Sequence, residues 1–227
     1  MISAETRLVG LIGDPVSASL SPLMQNAAFA VRGLDWASLP LPVPAALLED
    51  AVRGLVALGF AGANVTTPHK LAVARLIETD EPSVNTLVVR DGRVHGYTTD
   101  AAILAELRFD RAAIIGDGGS ATAFGRALPD ALRFSRHGRW PPELDGVDLV
   151  VNATSERERV LVELHPGQTL VDLPYPRTAT ARAAEAAGAR IVDGVDVLVA
   201  QGSASFELWT GVPAPVEGMR AAVRSAS

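Results

Sequence analysis

At 227 residues, with 48% hydrophobic and 20% charged residues, the chain has the make-up of a soluble globular protein with room for one large domain or two small ones. It contains no cysteine, which excludes disulfides, thiolate nucleophiles, iron–sulfur clusters and cysteine-ligated zinc, and its four histidines (His69, His95, His137, His165) lack metal-ligand spacing, so no metal is expected. A net charge of −6 with both signs interspersed argues against a nucleic-acid partner, and the lack of a signal-like segment or a membrane-length apolar run predicts a cytoplasmic protein with no membrane partner.

From the N-terminus, Arg7–Ile12 reads as a short buried strand stopped by Gly13-Asp14-Pro15. Ser21-Pro22 then opens a helix with Ser21 as N-cap and Leu23, Ala27, Ala28 and Val31 at helical spacing. Ala45–Leu58 has the same period and ends at Gly59. Ala61–Val65 is a strand running into Thr66-Thr67-Pro68-His69-Lys70, after which Leu71–Ile77 is helical. Asn85–Arg90 and Arg93–Tyr97 are β-branched runs joined by Asp91-Gly92, a hairpin signal. A helix over Thr99–Leu107 leads to the strand Ala112–Ile115, the glycine turn Gly116-Asp117-Gly118-Gly119-Ser120 and a helix through Leu128. Strands at Leu132–Ser135, Val147–Asn152, Thr169–Leu173 and Arg190–Val192 follow, with a helix over Thr178–Ala187. From Gln201 onward one or two closing helices are interrupted at Gly211–Pro215. This is βαβ order, which predicts an α/β fold with ligands at the carboxyl ends of parallel strands.

Among the 20 basic residues, 19 are Arg and one is Lys, Lys70. A lysine amine gains and loses a proton where a guanidinium does not, so the position points to proton transfer as a carbonyl is reduced or an alcohol oxidised, with a chance survivor in an Arg-rich chain as the other reading. Asp100 is a natural partner to orient that amine; decoration of a helix start is the plainer reading. Ser17, Ser19 and Ser21 offer hydroxyl donors for a carboxylate, or simply cap the helix. The glycine turn between a strand and a helix fits a pyrophosphate, with Gly116, Gly118, Gly119 and Ser120 supplying the approach; a tight structural turn is the plainer reading. Asp117 within it repels a diphosphate unless it turns away or is hydrogen-bonded elsewhere. After the next strand, Ser135-Arg136-His137-Gly138-Arg139 has Arg where an acidic residue would select a free ribose hydroxyl, which favours NADP(H) over NAD(H) while leaving NAD(H) open; solvent-exposed arginines are the other reading.

In this order the segments resemble the shikimate dehydrogenase family, as a short and divergent member. Gly13-Asp14-Pro15-Val16-Ser17-Ala18-Ser19-Leu20-Ser21-Pro22 is similar to the family's opening motif, Asn64–Lys70 to its Asn-Val-Thr-x-Pro-His-Lys, Asn152–Ser155 to its Asn-Ala-Thr-Ser, and Asp193–Gln201 with Phe206–Gly211 to its closing signature. The resemblance implies that Lys70 is the catalytic lysine and Asp100 its paired aspartate. Ser19 and Ser21 would hold the substrate carboxylate, and Asn64, Thr66, Asn85, Tyr175 and Gln201 the rest of the substrate. Asn152, Thr154 and Ser155 would lie near the cofactor. The chain departs from the family at Ala18 and Gln25, where the family has His, at Thr98 for Asn, and at Asp117 for Ala.

The organisation so implied is an N-terminal α/β substrate domain over residues 1–100, completed by C-terminal helices in 201–227, and a Rossmann-like NADP-binding domain over 101–200. The stretch Ser135–Gly146, broken by Pro141-Pro142, predicts a shortened crossover with a loop or one turn in place of a helix. The implied activity is NADPH-dependent reduction of 3-dehydroshikimate or a related cyclic hydroxy acid by a monomer or homodimer, in the pathway to chorismate and the aromatic amino acids. Two rivals stand beside it: a homologue that binds the substrate but is impaired in its cofactor site, and a quinate/shikimate dehydrogenase using NAD.

Overall fold

The computed structural model describes residues 2–226, which form two compact units. The first comprises the chain up to Thr99 together with the part from Val199 onward, and the second is Asp100–Leu198. No helix among the described residues is long and apolar enough to cross a membrane.

The first unit is built on β1 (Arg7–Gly13), β2 (Trp36–Pro42), β3 (Gly62–Val65), β4 (Thr86–Arg90) and β5 (Arg93–Tyr97), in the order β2-β1-β3-β4-β5. β1 runs parallel to both neighbours, and β4 is antiparallel to β3 and β5. Its helices are α1 (Ser21–Val31), α2 (Leu48–Ala57, entered through a 3-10 turn at Ala45–Leu47) and α3 (Lys70–Leu76). Ile12, Val52, Leu55, Val65, Val73 and Leu87 form the core between the sheet and α2 and α3. Elsewhere in the unit Phe29 stacks on Trp36 at 5.5 Å and on Phe206 at 5.4 Å. Burying a side chain the size of Phe29 contributes about 1.5–3 kcal/mol. In the β4–β5 turn Asp91 and Gly92 both take positive φ (52° and 71°), as a two-residue hairpin requires.

β2 was not legible in the sequence. Its Pro40 and Pro42 argue against a strand, yet they are tolerated because β2 lies at the sheet edge and pairs only with β1. The side chain of Asn26 completes Ser38, donating to its carbonyl at 3.0 Å and accepting from its N–H at 2.8 Å. Ser21 is also not the N-cap expected: Leu20 caps α1, and Ser21 and Pro22 are its first two residues.

The second unit carries a parallel sheet in the order β10-β9-β8-β6-β7, formed by β6 (Ala112–Ile115), β7 (Leu132–Phe134), β8 (Leu149–Asn152), β9 (Thr169–Asp172) and β10 (Arg190–Val192). α4 (Gly119–Ala127) joins β6 to β7 and α5 (Ala179–Ala186) joins β9 to β10. The crossover from β7 to β8, residues 135–148, contains no helix, and neither does the one from β8 to β9, residues 153–168. Leu144, Leu161, Val162 and Leu164 from these loops cover the sheet in place of helices, packing with Phe134, Val150 and Leu170. The helix expected over Thr99–Leu107 is only a 3-10 segment, Ala102–Glu106, in which Ile103 alone is buried.

Two last helices close the chain, α6 (Gly194–Thr210) and α7 (Val216–Arg224). α6 starts seven residues before Gln201. The overlooked signal was Asp193, whose Oδ1 accepts from the N–H groups of Val195 at 3.0 Å and Asp196 at 3.1 Å.

Candidate active site

β1 has β2 on one side and β3 on the other, so the carboxyl ends of β1 and β3 flank a crevice where the strand order reverses. The carboxyl ends of β1, β2 and β3 and the segments that leave them are stitched together there. Thr66 N–H donates to Ile12 O at 2.8 Å, Asp14 N–H to Thr67 O at 3.2 Å, and Val43 N–H to Gly13 O at 2.9 Å. His69 is 1% exposed and its Nε2 lies 2.7 Å from Val43 O, so this member of the motif anchors the loop. Lys70 is the first residue of α3, half-buried, with its carbonyl accepting from Val84 N–H at 3.1 Å. Across the turn from β1, Ser19 Oγ and Ser21 Oγ are 3.3 Å apart and Ser21 N–H also donates to Ser19 Oγ at 3.3 Å, which leaves the two hydroxyls side by side at the start of α1.

β3, β4 and α6 supply a buried polar array. Asn64 Nδ2 donates to Asn85 O at 3.2 Å, Thr86 Oγ1 at 3.2 Å and Ser205 Oγ at 2.9 Å. Asn85 Nδ2 donates to Thr99 Oγ1 at 2.9 Å and Gln201 Oε1 at 3.3 Å, while its Oδ1 accepts from Thr99 N–H at 2.7 Å. Thr86 Oγ1 and Ser205 Oγ are 2.8 Å apart, and Ser205 Oγ donates to Gln201 O at 3.0 Å. The structure therefore joins Asn64, Asn85 and Gln201, three residues singled out in the sequence, through Thr86, Thr99 and Ser205, which were not. Ser205 was findable, since it lies one helical turn from Gln201 on the same face of α6. Asp100, 5% exposed, follows Thr99 directly in the chain. These amides and hydroxyls are uncharged donors and acceptors, suited to the hydroxyls of a small polyol, and Lys70, six residues after Asn64, is the cation of the same motif.

In the second unit the order reverses between β6 and β8. Gly116, at the end of β6, has φ +129°, and a Cβ there would lie 2.9 Å from Ala153 O, so only glycine fits. Gly118 caps α4 with no side-chain hydrogen bond, and a Cβ on it would meet nothing within 4 Å. The open space beside Gly118, with no side-chain cap at the helix start that Gly119 and Ser120 begin, suits a pyrophosphate, so these residues fit a dinucleotide. Across the crevice Asn152 is fully buried: its Nδ2 donates to Asp172 Oδ1 at 2.7 Å and its Oδ1 accepts from Thr154 Oγ1 at 2.8 Å. Burial pushes the Asp172 carboxyl above its ordinary range, against hydrogen bonds from Asn152 and Thr178 that lower it. Ser155 is exposed just beyond, and Tyr175, half-buried, lies between β9 and α5. Ser135 opens the turn after β7 and Arg136 is exposed on it, whereas Arg139 is ion-paired with Glu143 and stacked over Phe134.

Comparison with known proteins shows the family to which the chain is similar. Residues 11–87 match the family model described as the shikimate dehydrogenase substrate binding domain, and residues 194–224 that of the shikimate 5'-dehydrogenase C-terminal domain. The chain is 39% identical to a Methanopyrus kandleri protein named shikimate dehydrogenase (NADP(+)), over 98% of this chain and 96% of that one. That alignment spans 279 positions, more than this chain has residues, so the relative carries stretches with no counterpart here. Among solved structures, shikimate dehydrogenase from Aquifex aeolicus is similar with a TM-score of 0.89 at 28% identity, covering 99% of this chain and 100% of that one. The Thermus thermophilus shikimate 5-dehydrogenase, solved in complex with NADP(H) and shikimate, is similar with a TM-score of 0.85 at 28% identity, over 97% and 100% of the two chains.

Proposed function

The chain belongs to the shikimate dehydrogenase family, and on that premise we propose that it interconverts 3-dehydroshikimate and shikimate with NADP(H), the first unit holding substrate and the second cofactor. The observation that carries the reading is the placement of the sole lysine, Lys70, at the head of α3, where β1 and β3 end beside the uncharged array of Asn64, Asn85, Thr99 and Gln201.

When bound, a nicotinamide cofactor would supply the hydride that reduces the substrate's carbonyl carbon. As negative charge grows on the carbonyl oxygen, the Lys70 ammonium gives up a proton to it and becomes a neutral amine; in the oxidation direction the amine takes the proton back. Asp100 orients the Lys70 amine for that proton transfer. Ser19 and Ser21 donate to the substrate carboxylate, and Asn64, Thr66, Asn85 and Gln201 orient its ring hydroxyls, with Tyr175 lining the site. Gly116, Gly118, Gly119 and Ser120 receive the pyrophosphate, and Ser135 and Arg136 the adenosine end. Asn152, with both ends of its amide committed, contributes through the shape of the turn that carries Thr154 and Ser155. A cytoplasmic monomer or homodimer completes the reading.

The test is a panel of shikimate and quinate, each with NADP⁺ and NAD⁺, followed by nicotinamide absorbance. The reading predicts fastest reduction with shikimate and NADP⁺. Absence of reduction in all four combinations, by protein that still binds shikimate in calorimetry, overturns it.

A further inference from the structure

The glycine turn holds an aspartate where a dinucleotide would bring its phosphates, and the structure shows where that carboxylate goes. Asp117 Oδ2 lies 2.7 Å from His137 Nδ1, so the turn after β6 is tied to the turn after β7. The hydrogen bond from His137 is the largest cause holding the Asp117 carboxyl below its usual range, which keeps it ionised around neutrality. The pair is solvent-exposed, at 55% for Asp117 and 81% for His137. The β7 turn and the loop that follows also carry Arg136, Arg139 and Glu143, and the loop after β8, whose Ala153 O packs on Gly116, carries Glu156, Arg157 and Arg159. Arg139 is ion-paired with Glu143, and the two cancel. Arg136 is exposed and enters no hydrogen bond or ion pair with any described residue.

Resting on the reading that this unit binds NADP(H), we propose that His137, through its bridge to Asp117, is a selectivity residue that makes the preference for NADP(H) over NAD(H) depend on protonation. With His137 protonated, the Asp117 charge is neutralised and Arg136 leaves the two turns with a net positive charge toward a 2′-phosphate. With His137 neutral, Asp117 offsets Arg136 and the net charge of the turns falls to zero. NAD(H), whose 2′ position is a hydroxyl, lacks the charge that senses this difference. Because the groups are exposed, the effect is modest, about three- to tenfold in dissociation constant at low ionic strength, and is screened by salt.

The experiment is calorimetric titration of NADPH and NADH into wild type, His137→Gln and Asp117→Asn at low salt, at about pH 6 and about pH 8, either side of the range in which an imidazole takes up its proton. Glutamine keeps a donor for Asp117 without the charge, and its own pH profile corrects for titration of the 2′-phosphate. Relative to His137→Gln, wild type is expected to bind NADPH about three- to tenfold more tightly near pH 6, with the advantage gone near pH 8. Asp117→Asn is expected to tighten NADPH at both, and NADH is expected to change little throughout. Identical NADPH profiles for wild type and His137→Gln overturn the inference while leaving the cofactor reading intact; no NADPH binding by wild type overturns both.

Discussion

Asn85 grips Thr99 twice, accepting from its backbone N–H at Oδ1 (2.7 Å) and donating from Nδ2 to its hydroxyl (2.9 Å). The paired contact fixes the amide plane and sets the direction in which the chain leaves β5 toward Asp100. Asn85→Ala leaves the buried Thr99 N–H without its acceptor, at a cost of about 1–3 kcal/mol, read by urea unfolding. The same variant is expected to raise KM for shikimate at least several-fold while NADP⁺ affinity holds, since the glycine turn belongs to the other unit.

Ser205 and Thr86, 2.8 Å apart, are expected to couple. Ser205→Ala takes an acceptor from Asn64, and Thr86→Val removes the hydroxyl that Asn64 and Ser205 share. A double-mutant cycle on unfolding free energy should return a coupling of about 0.5–3 kcal/mol, as for residues in one hydrogen-bonded network. Simple additivity would show that the array is not a unit.

Asp148 supplies an acid-sensitive clamp. Burial pushes its carboxyl up, but the N–H groups of Asp110 and Arg111, both at 2.8 Å, outweigh this and bring it below the ordinary value. The native state therefore holds that proton less tightly than the unfolded chain. The stabilisation is present above the unfolded value near pH 4 and is lost as pH falls through the lower native one. Asp148→Asn is expected to cost about 1 kcal/mol at neutral pH, discounted for partial exposure, and to converge with wild type in strong acid.

The alternating strands, the Asp91-Gly92 hairpin and the glycine turn were legible because each rests on local chemistry: period, turn residues and a strand-to-helix junction. β2 was not, because Pro40 and Pro42 are admitted only by an edge position that pairing with β1 defines. The start of α6 was missed because Val197–Ala200 reads as an apolar run, although Asp193 caps the helix. The motif residues Asn64, Asn85 and Gln201 could be named, but the hydroxyls that join them come from segments more than a hundred residues apart in the chain, a proximity that no local pattern records. Asp117 stood out as a misplaced charge, and only the folded turn supplies its partner, His137.

Gly116→Ala tests the cofactor turn. A side chain at φ +129° is strained, and its Cβ would press on Ala153 O at 2.9 Å, which costs about 1–3 kcal/mol. A lowered Tm together with NADPH affinity weakened at least tenfold is expected, with shikimate affinity unchanged. An unaltered NADPH affinity would place the pyrophosphate elsewhere.

Most directly, the account stands on the proton carried by Lys70. Oxidation of shikimate by NADP⁺, followed through nicotinamide absorbance, is to be measured for wild type, Lys70→Ala and Lys70→Arg, with circular dichroism and NADP⁺ titration on the same samples. Both variants are expected to lose about 10²–10⁴-fold in kcat while keeping the fold and the cofactor affinity, the arginine failing because it holds its proton throughout. Wild-type turnover by either variant would contradict the assignment of Lys70 as the proton carrier.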